Sequence, residues 1–168
     1  MARYAIDIEH YRDLAQQKHK QHEKFLAQLK KRPPKKLDQI ALEIHKEVFR
    51  EIDCTACANC CKTLGPLWTE ADIERVAKLL RMSLRDFEAA YLRVDEDGDK
   101  VFQTMPCPFL GTADNLCSIY EARPKACREF PHTDRKKIYQ INHLTLKNTA
   151  YCPAAYEFVE RLETKLEK

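Results

Sequence analysis

The sequence has few glycines, no long apolar run and no apolar leader. Glycine occurs three times in 168 residues, which argues against long flexible linkers. No stretch approaches the roughly 18 consecutive apolar residues that a transmembrane helix needs, so we expect no association with a membrane. The N-terminal residues also lack the apolar segment of a signal peptide. We therefore expect a cytoplasmic protein whose thiols are kept reduced.

Charge is distributed unevenly along the chain. Residues 1–36 carry ten Lys/Arg against four Asp/Glu, whereas the remainder carries 19 against 22. A basic segment on a slightly acidic body is suited to bind nucleic acid or an acidic protein, although a solvated helical face explains the same charges. We interpret residues 1–36 as a basic helical N-terminal arm and residues 37–168 as a separate, cysteine-rich domain.

The arm has an interrupted helical pattern. Its apolar residues follow a helical spacing at both ends, namely Tyr4, Ile8, Tyr11 and Ala15, then Phe25, Leu26 and Leu29. Lys18 and His22 occupy the positions that would continue this stripe, so the middle of the helix is expected to be weakly held. We interpret the pair His19 and His22 as solvent-exposed. The pair Pro33-Pro34 ends the helix.

The second segment is mainly helical around an irregular centre. A clean amphipathic stripe covers Leu37, Ile40, Ala41, Ile44, Val48, Phe49 and Ile52. The pairs Thr69/Asp72 and Ser83/Asp86 are typical of helix starts, Asp97-Gly98 predicts a hairpin tip, and Pro153 begins a final helix. Four prolines and three cysteines between Met105 and Pro131 indicate irregular structure, and residues 139–146 are expected to be strand or irregular. The predicted fold is mainly α with a small β-hairpin and a cysteine-rich centre.

Eight cysteines dominate the chemistry of the sequence. The first four read C-x2-C-x2-C-C, and the full set is Cys54, Cys57, Cys60, Cys61, Cys107, Cys117, Cys127 and Cys152. Two residues between cysteines is the spacing that directs two sulfurs at one metal ion. A disulfide framework is disfavoured because no leader precedes it and a bond between neighbours Cys60 and Cys61 is strained. The array predicts metal binding through all eight thiolates.

The adjacency of Cys60 and Cys61 constrains how the ligands are shared. Neighbouring side chains point apart in most backbone conformations, so these two sulfurs are expected to serve different centres or to bridge. Eight thiols can form two four-sulfur sites. One arrangement combines three of the early cysteines with one late cysteine and leaves Cys61 with the rest.

The order of the motifs resembles a known family. C-x2-C-x2-C-C is followed by Cys107-Pro108-Phe109-Leu110, by Cys117-Ser118-Ile119-Tyr120 with Glu121-Ala122-Arg123-Pro124, and by Ala126-Cys127-Arg128-Glu129-Phe130-Pro131. This pattern, which runs from Cys54 to Cys152, is similar to the YkgJ-type cysteine-cluster family, described as a zinc- or iron-chelating domain. The resemblance implies a metal-binding module. It does not extend to the basic helix.

The spacing leaves two kinds of metal open. Iron–sulfur clusters use three cysteines at x2 intervals and a remote one that is often followed by proline, which fits Cys54, Cys57 and Cys60 with either Cys107-Pro108 or Cys152-Pro153. Cys61 departs from the ferredoxin pattern. Zinc accepts four thiolates in a closed tetrahedron and would hold the irregular centre together. Iron or an iron–sulfur cluster is slightly preferred over zinc.

The remaining functional residues and roles are less constrained. Arg123 and Arg128 flank Cys127 and are candidates for neutralising the charge of a bound cluster; salt bridges to Glu121 and Glu129 are the alternative. The pattern predicts a cytoplasmic metal-binding protein for electron transfer, iron handling or sensing. A structural-zinc module that binds nucleic acid or protein, and an iron–sulfur oxidoreductase or modifying enzyme, are the other hypotheses. Catalytic residues are not indicated.

Overall fold

A computed structural model describes residues 6–167 of the chain. Its helices are α1 (Ile8–Lys31), α2 (Leu37–Glu51), α3 (Cys54–Cys57), α4 (Asn59–Thr63), α5 (Glu70–Leu80), α6 (Leu84–Tyr91), α7 (Lys125–Glu129), α8 (Asn142–Thr149) and α9 (Pro153–Leu166). Strands β1 (Leu92–Val94) and β2 (Lys100–Phe102) form an antiparallel hairpin, and two 3-10 turns cover Tyr120–Ala122 and Ile138–Ile141. The predicted fold class, mainly α with a small hairpin, is confirmed.

The chain forms two compact units. One, the discontinuous unit, combines the residues up to Cys57 with those from Pro131 onward, and the other, the central unit, is the continuous segment Ala58–Phe130. None of the helices within residues 6–167 is long and apolar enough to cross a membrane.

The discontinuous unit is a helical bundle organised by α9. Helix α9 packs against α1, α2 and α8, and α1 also packs against α8. Its inner face is fully buried at Phe158, Val159 and Leu162, and burying each such side chain stabilises the fold by about 1.5–3 kcal/mol. At the edge of the bundle, both guanidinium Nη atoms of Arg161 bind the Glu51 carboxylate, at 3.1 and 2.5 Å. The predicted helices over residues 37–52 and from Pro153 are confirmed.

Two expectations about this unit are wrong. His22 is 0% exposed, because its ring lies against Tyr156 of α9 with the ring centroids 5.5 Å apart; the buried stripe of α1 therefore continues through its middle. His19 is exposed, as expected. Residues 139–146, expected to be strand or irregular, form a 3-10 turn followed by the first part of α8. Tyr4 lies outside the described residues.

The central unit is built around an aromatic core. Trp68, Phe87, Phe102 and Phe109 are buried together, and the Trp68 ring lies 5.3 Å from those of both Phe87 and Phe102, measured between centroids. The Trp68 amide also donates to Lys100 O on β2, at 2.9 Å. The core therefore fixes the hairpin against helices α5 and α6.

Side-chain caps start both long helices of the central unit, as predicted. Thr69 and Asp72 form a capping box, in which each side chain accepts the other's backbone amide proton. The Ser83 side chain accepts from the Asp86 amide at the start of α6. Gly98 lies at the tip of the predicted hairpin with φ 85°, a conformation that glycine adopts without strain.

Candidate metal centres

Helix α4 presents Cys61 to the loop that carries Cys107. The amide of Cys107 donates to the carbonyl oxygen of Cys61 at 2.8 Å, which ties the two backbones together. Gly65 terminates the α4 segment with φ 65°, and its amide donates to Cys60 O at 3.2 Å. This is the left-handed glycine end of a helix. The chain therefore turns out of α4 four residues after Cys61.

Cys107 and Cys117 lie in turns whose amides face their sulfurs. The amides of Phe109 and Leu110 favour the Cys107 thiolate, and the amide of Ile119 favours that of Cys117. An isolated antiparallel bridge joins Leu110 to Cys117. Amide hydrogen bonds to sulfur are a recurring feature of metal–thiolate sites because they offset the negative charge. The irregular segment between Met105 and Pro131 thus supplies two paired cysteine turns.

Cys127, on α7, completes a group of four thiols in the central unit. Burial raises the pKa of Cys127 to about 12, and the charges of Cys61, Cys107 and Cys117 act in the same direction. Burial likewise raises the pKa of Cys107 to about 11 and that of Cys117 above its usual value. Charge effects of this kind act over several ångströms, so they show which thiols influence one another and fix no sulfur–sulfur distance. The four sulfurs therefore form one electrostatically coupled group.

Arg123 is the positive charge beside this group. Its guanidinium carbon lies 3.7 Å from the centre of the Tyr120 ring, and its charge lowers the pKa values of Cys61, Cys117 and Cys127. The pKa of Cys61 falls to about 7, chiefly because of a hydrogen bond with Cys60. Arg128 is exposed, and its Nη1 donates to Arg123 O at 2.7 Å. Arg123 acts on the thiolates, whereas Arg128 supports the backbone of Arg123.

An ion pair that the sequence analysis did not identify holds the segment before Cys127. Asp72 is 1% exposed and binds Nη2 of Arg75 through Oδ1 at 2.5 Å. Arg75 in turn donates from Nε to Ala122 O at 3.1 Å and from Nη2 to Arg123 O at 3.0 Å. Asp72 was predicted as a capping residue only. Its tie to residues some fifty positions later has no signature in a local pattern.

A second group of thiols lies in the discontinuous unit. Cys54 and Cys57 bound the single turn α3, and Cys152 precedes α9. Burial raises the pKa of Cys152 to about 12, the amides of Ala155 and Ala154 oppose this, and the charges of Cys54 and Cys57 reinforce it. The charges of both cysteines of the first C-x2-C pair thus act on the buried Cys152 thiol of the same unit.

The chemistry of these donors fits a metal. The eight cysteines are not joined in disulfides, and Cys152 is buried while most of the others are partly buried, so a thiolate without a neighbouring cation is disfavoured there. A soft metal ion removes that penalty because it binds the thiolate directly and displaces its proton. Sulfur donors of this kind select zinc, copper(I) or iron–sulfur clusters rather than magnesium or calcium.

The family comparison agrees with this chemistry. Residues 53–153 match the model of the CxxCxxCC family, described as a "putative zinc- or iron-chelating domain". The chain belongs to the CxxCxxCC family. No solved structure matches the chain.

As a CxxCxxCC protein, the chain has a metal-chelating domain that includes both sets of cysteines, that of the central unit and that of the discontinuous unit. All eight cysteines lie within the matched segment, as do Arg123 and Arg128. The helix α1, by contrast, lies before it. The resemblance stated from the motif order is therefore confirmed for the segment to which it was applied.

Proposed function

We propose that this chain is an iron protein, in which cysteine thiolates hold an iron–sulfur cluster or iron and serve electron transfer, iron handling or sensing in the cytoplasm. The observation that supports this proposal is that Cys54, Cys57 and Cys152 belong to the same compact unit, in which the charges of the first two act on the third. Cys152 is followed by Pro153. A C-x2-C-x2-C motif with a remote cysteine that precedes proline is the ligand pattern of iron–sulfur proteins.

All eight cysteines are proposed ligands, and four of them form a centre of their own. Cys61, Cys107, Cys117 and Cys127 influence one another's pKa values within the central unit. Cys60, which forms a side-chain hydrogen bond with Cys61, is a further proposed ligand. The two groups, four thiols in the central unit and three in the discontinuous unit, comprise seven of the eight cysteines.

The residues around the thiolates have distinct tasks. Backbone amides near Cys107, Cys117 and Cys152 favour the charged form of the sulfur, and Arg123 offsets negative charge in the central unit. Burial of Cys152 and Cys127 excludes water from the sulfurs. When bound, an iron centre would supply one-electron redox chemistry whose potential depends on these hydrogen bonds and on solvent exposure.

Zinc is the second candidate, and the four-thiol group of the central unit favours it. Four thiolates without an open position suit a structural zinc ion, which would stabilise a segment with few regular elements. In that case the domain is an interaction module rather than a redox centre. The exposed lysines of α1 would then be its contact with nucleic acid or an acidic protein.

Anaerobic purification followed by elemental analysis, sulfide determination and a visible spectrum tests the proposal. Iron with sulfide and charge-transfer absorption in the visible range supports it. A colourless protein that contains zinc and no iron, after expression with both metals supplied, overturns it in favour of the zinc module. The Cys57→Ser variant is expected to lose metal and to become more sensitive to protease, because Cys57 is a proposed ligand.

A further inference from the structure

Three side chains away from the cysteines converge on one point of the helical bundle. They are His22 on α1 and Glu160 and Glu163 on α9, and one ligand atom from each lies within 4.8 Å of the other two. Residues at i and i+3 share a helix face, so the two glutamates project together from α9. Helix α1 packs against that helix and places the imidazole opposite them.

The imidazole of His22 faces a carboxylate of α9. The ring is fully buried, its Nε2 lies 2.6 Å from Oε1 of Glu160, and its Nδ1 has no hydrogen-bond partner. At this distance Nε2 and the carboxylate oxygen share a proton as a hydrogen bond, and a metal ion bound to both atoms would displace that proton and move the two atoms apart. Within residues 6–167, Glu160 is the hydrogen-bonding partner of the ring, and Glu163 offers a further oxygen within 4.8 Å.

Glu163 adds a buried charge to the same place. It is 7% exposed, its Oε2 accepts from Gln21 Nε2 at 2.9 Å, and no lysine or arginine among residues 6–167 forms an ion pair with it. Lys18 lies 3.6 Å from Glu160 but is partly exposed. Two carboxylates with one partly exposed lysine leave an excess negative charge, and buried charges are normally paired or bind metal.

We propose that His22, Glu160 and Glu163 bind one divalent first-row transition-metal ion, through Nε2 of the histidine and one oxygen of each carboxylate. Imidazole and carboxylate donors suit Zn²⁺, Fe²⁺ and Mn²⁺. The site is distinct from the thiolate centres, because Glu160 follows Cys152 by more than two turns of α9, a rise of about 12 Å. Glu163 also lines an open groove of about 790 Å³, which gives an ion access from solvent.

Manganese is the probe that separates this site from the cysteines. Mn²⁺ prefers oxygen and nitrogen donors and competes poorly for thiolates. We expect the full-length protein, carrying its cysteine-bound metal, to take up one Mn²⁺ per chain, measured as loss of the free-ion EPR signal. Glu163→Gln and Glu160→Gln keep the side-chain volume and should weaken binding by more than about tenfold, since losing even a supporting residue of a metal site costs 10–100-fold.

Two further variants sharpen the test. Glu47→Gln, at an exposed position on α2, is the matched control and should bind as the wild type does. Lys18→Gln removes the cation that competes for Glu160 and should bind Mn²⁺ more tightly. Both glutamine variants of α9 are checked by circular dichroism, so that loss of binding is assigned only to folded protein.

Two outcomes overturn the proposal. In the first, the wild type takes up no Mn²⁺, and its melting temperature does not respond to added Mn²⁺. In the second, Glu163→Gln binds as tightly as Glu47→Gln. Either result means that His22 and Glu160 form a proton-bridged pair only.

Discussion

The Asp72 carboxylate accepts the backbone amide proton of Lys125, with Oδ1 3.1 Å from the amide nitrogen. The same side chain caps α5 through Thr69. One buried residue therefore fixes the start of α5 and the start of α7, the helix that carries Cys127. The position of that cysteine depends on a carboxylate more than fifty residues earlier in the chain.

Replacing Asp72 by Asn tests this dependence. Burial raises the pKa of Asp72, but hydrogen bonds from Thr69, Arg75 and Lys125 outweigh it, so the pKa is lowered and the group is ionised. The variant loses the ion pair with Arg75, and we expect the free energy of unfolding to fall by about 2 kcal/mol, measured by urea titration. Asp86→Asn, at the equivalent position of the exposed cap of α6, should cost less than about 1 kcal/mol. Equal losses would argue against a special role for Asp72.

Single cysteine variants should remove the metal bound by each group of thiols separately. Cys127→Ser is expected to lose the metal of the central unit, and Cys152→Ser that of the discontinuous unit, because each residue is coupled to a different set of sulfurs. Metal content per chain, measured by mass spectrometry, checks this, and the double variant should lose both. Complete metal loss in either single variant would contradict independent centres.

Arg123 and Arg128 should differ in their effect on the metal. Arg123→Gln removes a positive charge that favours three thiolates, so we expect metal affinity in the central unit to fall about tenfold. Arg128→Gln removes only a hydrogen bond to a carbonyl and is the matched control. Competition with a chromophoric chelator measures both affinities. A larger effect for Arg128→Gln would show that charge is not the cause.

His45 predicts a dependence of stability on pH. Burial lowers the pKa of His45, and its Nδ1 lies 2.8 Å from Thr133 Oγ1. In the window between this lowered pKa and the unfolded value of about 6.5, the unfolded state binds more protons. The contribution of His45 to the free energy of unfolding is therefore fully present above its unfolded-state pKa. It is lost as the pH falls through its folded-state pKa.

The check for His45 is the difference in unfolding free energy between pH 7.5 and pH 5, measured for variant and wild type. His45→Gln should show a smaller decrease than the wild type over that interval. His19→Gln, at an exposed position of α1, serves as the control, and its decrease should match the wild type. A decrease in His45→Gln as large as in the wild type would exclude His45 as the group responsible.

The basic helix predicts salt-dependent binding of nucleic acid or an acidic protein. Four exposed lysines around Pro33-Pro34 are suitable for neutralisation to Gln, namely Lys30, Lys31, Lys35 and Lys36. Contacts to phosphates weaken steeply with salt, so we expect RNA binding at low salt that is lost in the fourfold variant. The control neutralises Lys46, Lys78, Lys136 and Lys165. Absence of binding by the wild type at low ionic strength would contradict this prediction.

Local chemistry made most helices predictable, and buried polar faces made α8 unpredictable. The caps at Thr69 and Ser83 depend on neighbouring residues and are visible in the sequence. Helix α8 buries Thr145, Asn148 and Thr149, so no apolar stripe marks it. Asn148 instead donates to Pro131 O at 3.2 Å, a bond that exists only after the chain has folded.

The site was predictable at the level of residue type. Cysteine spacing identified the ligand candidates, but the expectation that the neighbouring Cys60 and Cys61 side chains point apart is wrong, because a hydrogen bond joins them. The burial of His22 was not predictable, because a histidine in a helical stripe counts as polar until Tyr156 and Glu160 of a distant helix cover it. Pairings over such separations depend on tertiary packing, which a periodicity does not encode.

The continuity of the central unit has a consequence for biosynthesis. The central unit, with Cys61, Cys107, Cys117 and Cys127, is synthesised as one uninterrupted segment. The discontinuous unit is complete only after α9 has been synthesised. Domains generally fold as their residues emerge. The central unit is therefore expected to close first, while Cys54 and Cys57 remain without Cys152 until the later segment has been synthesised. Chain order thereby sets the sequence in which the two groups of thiols mature.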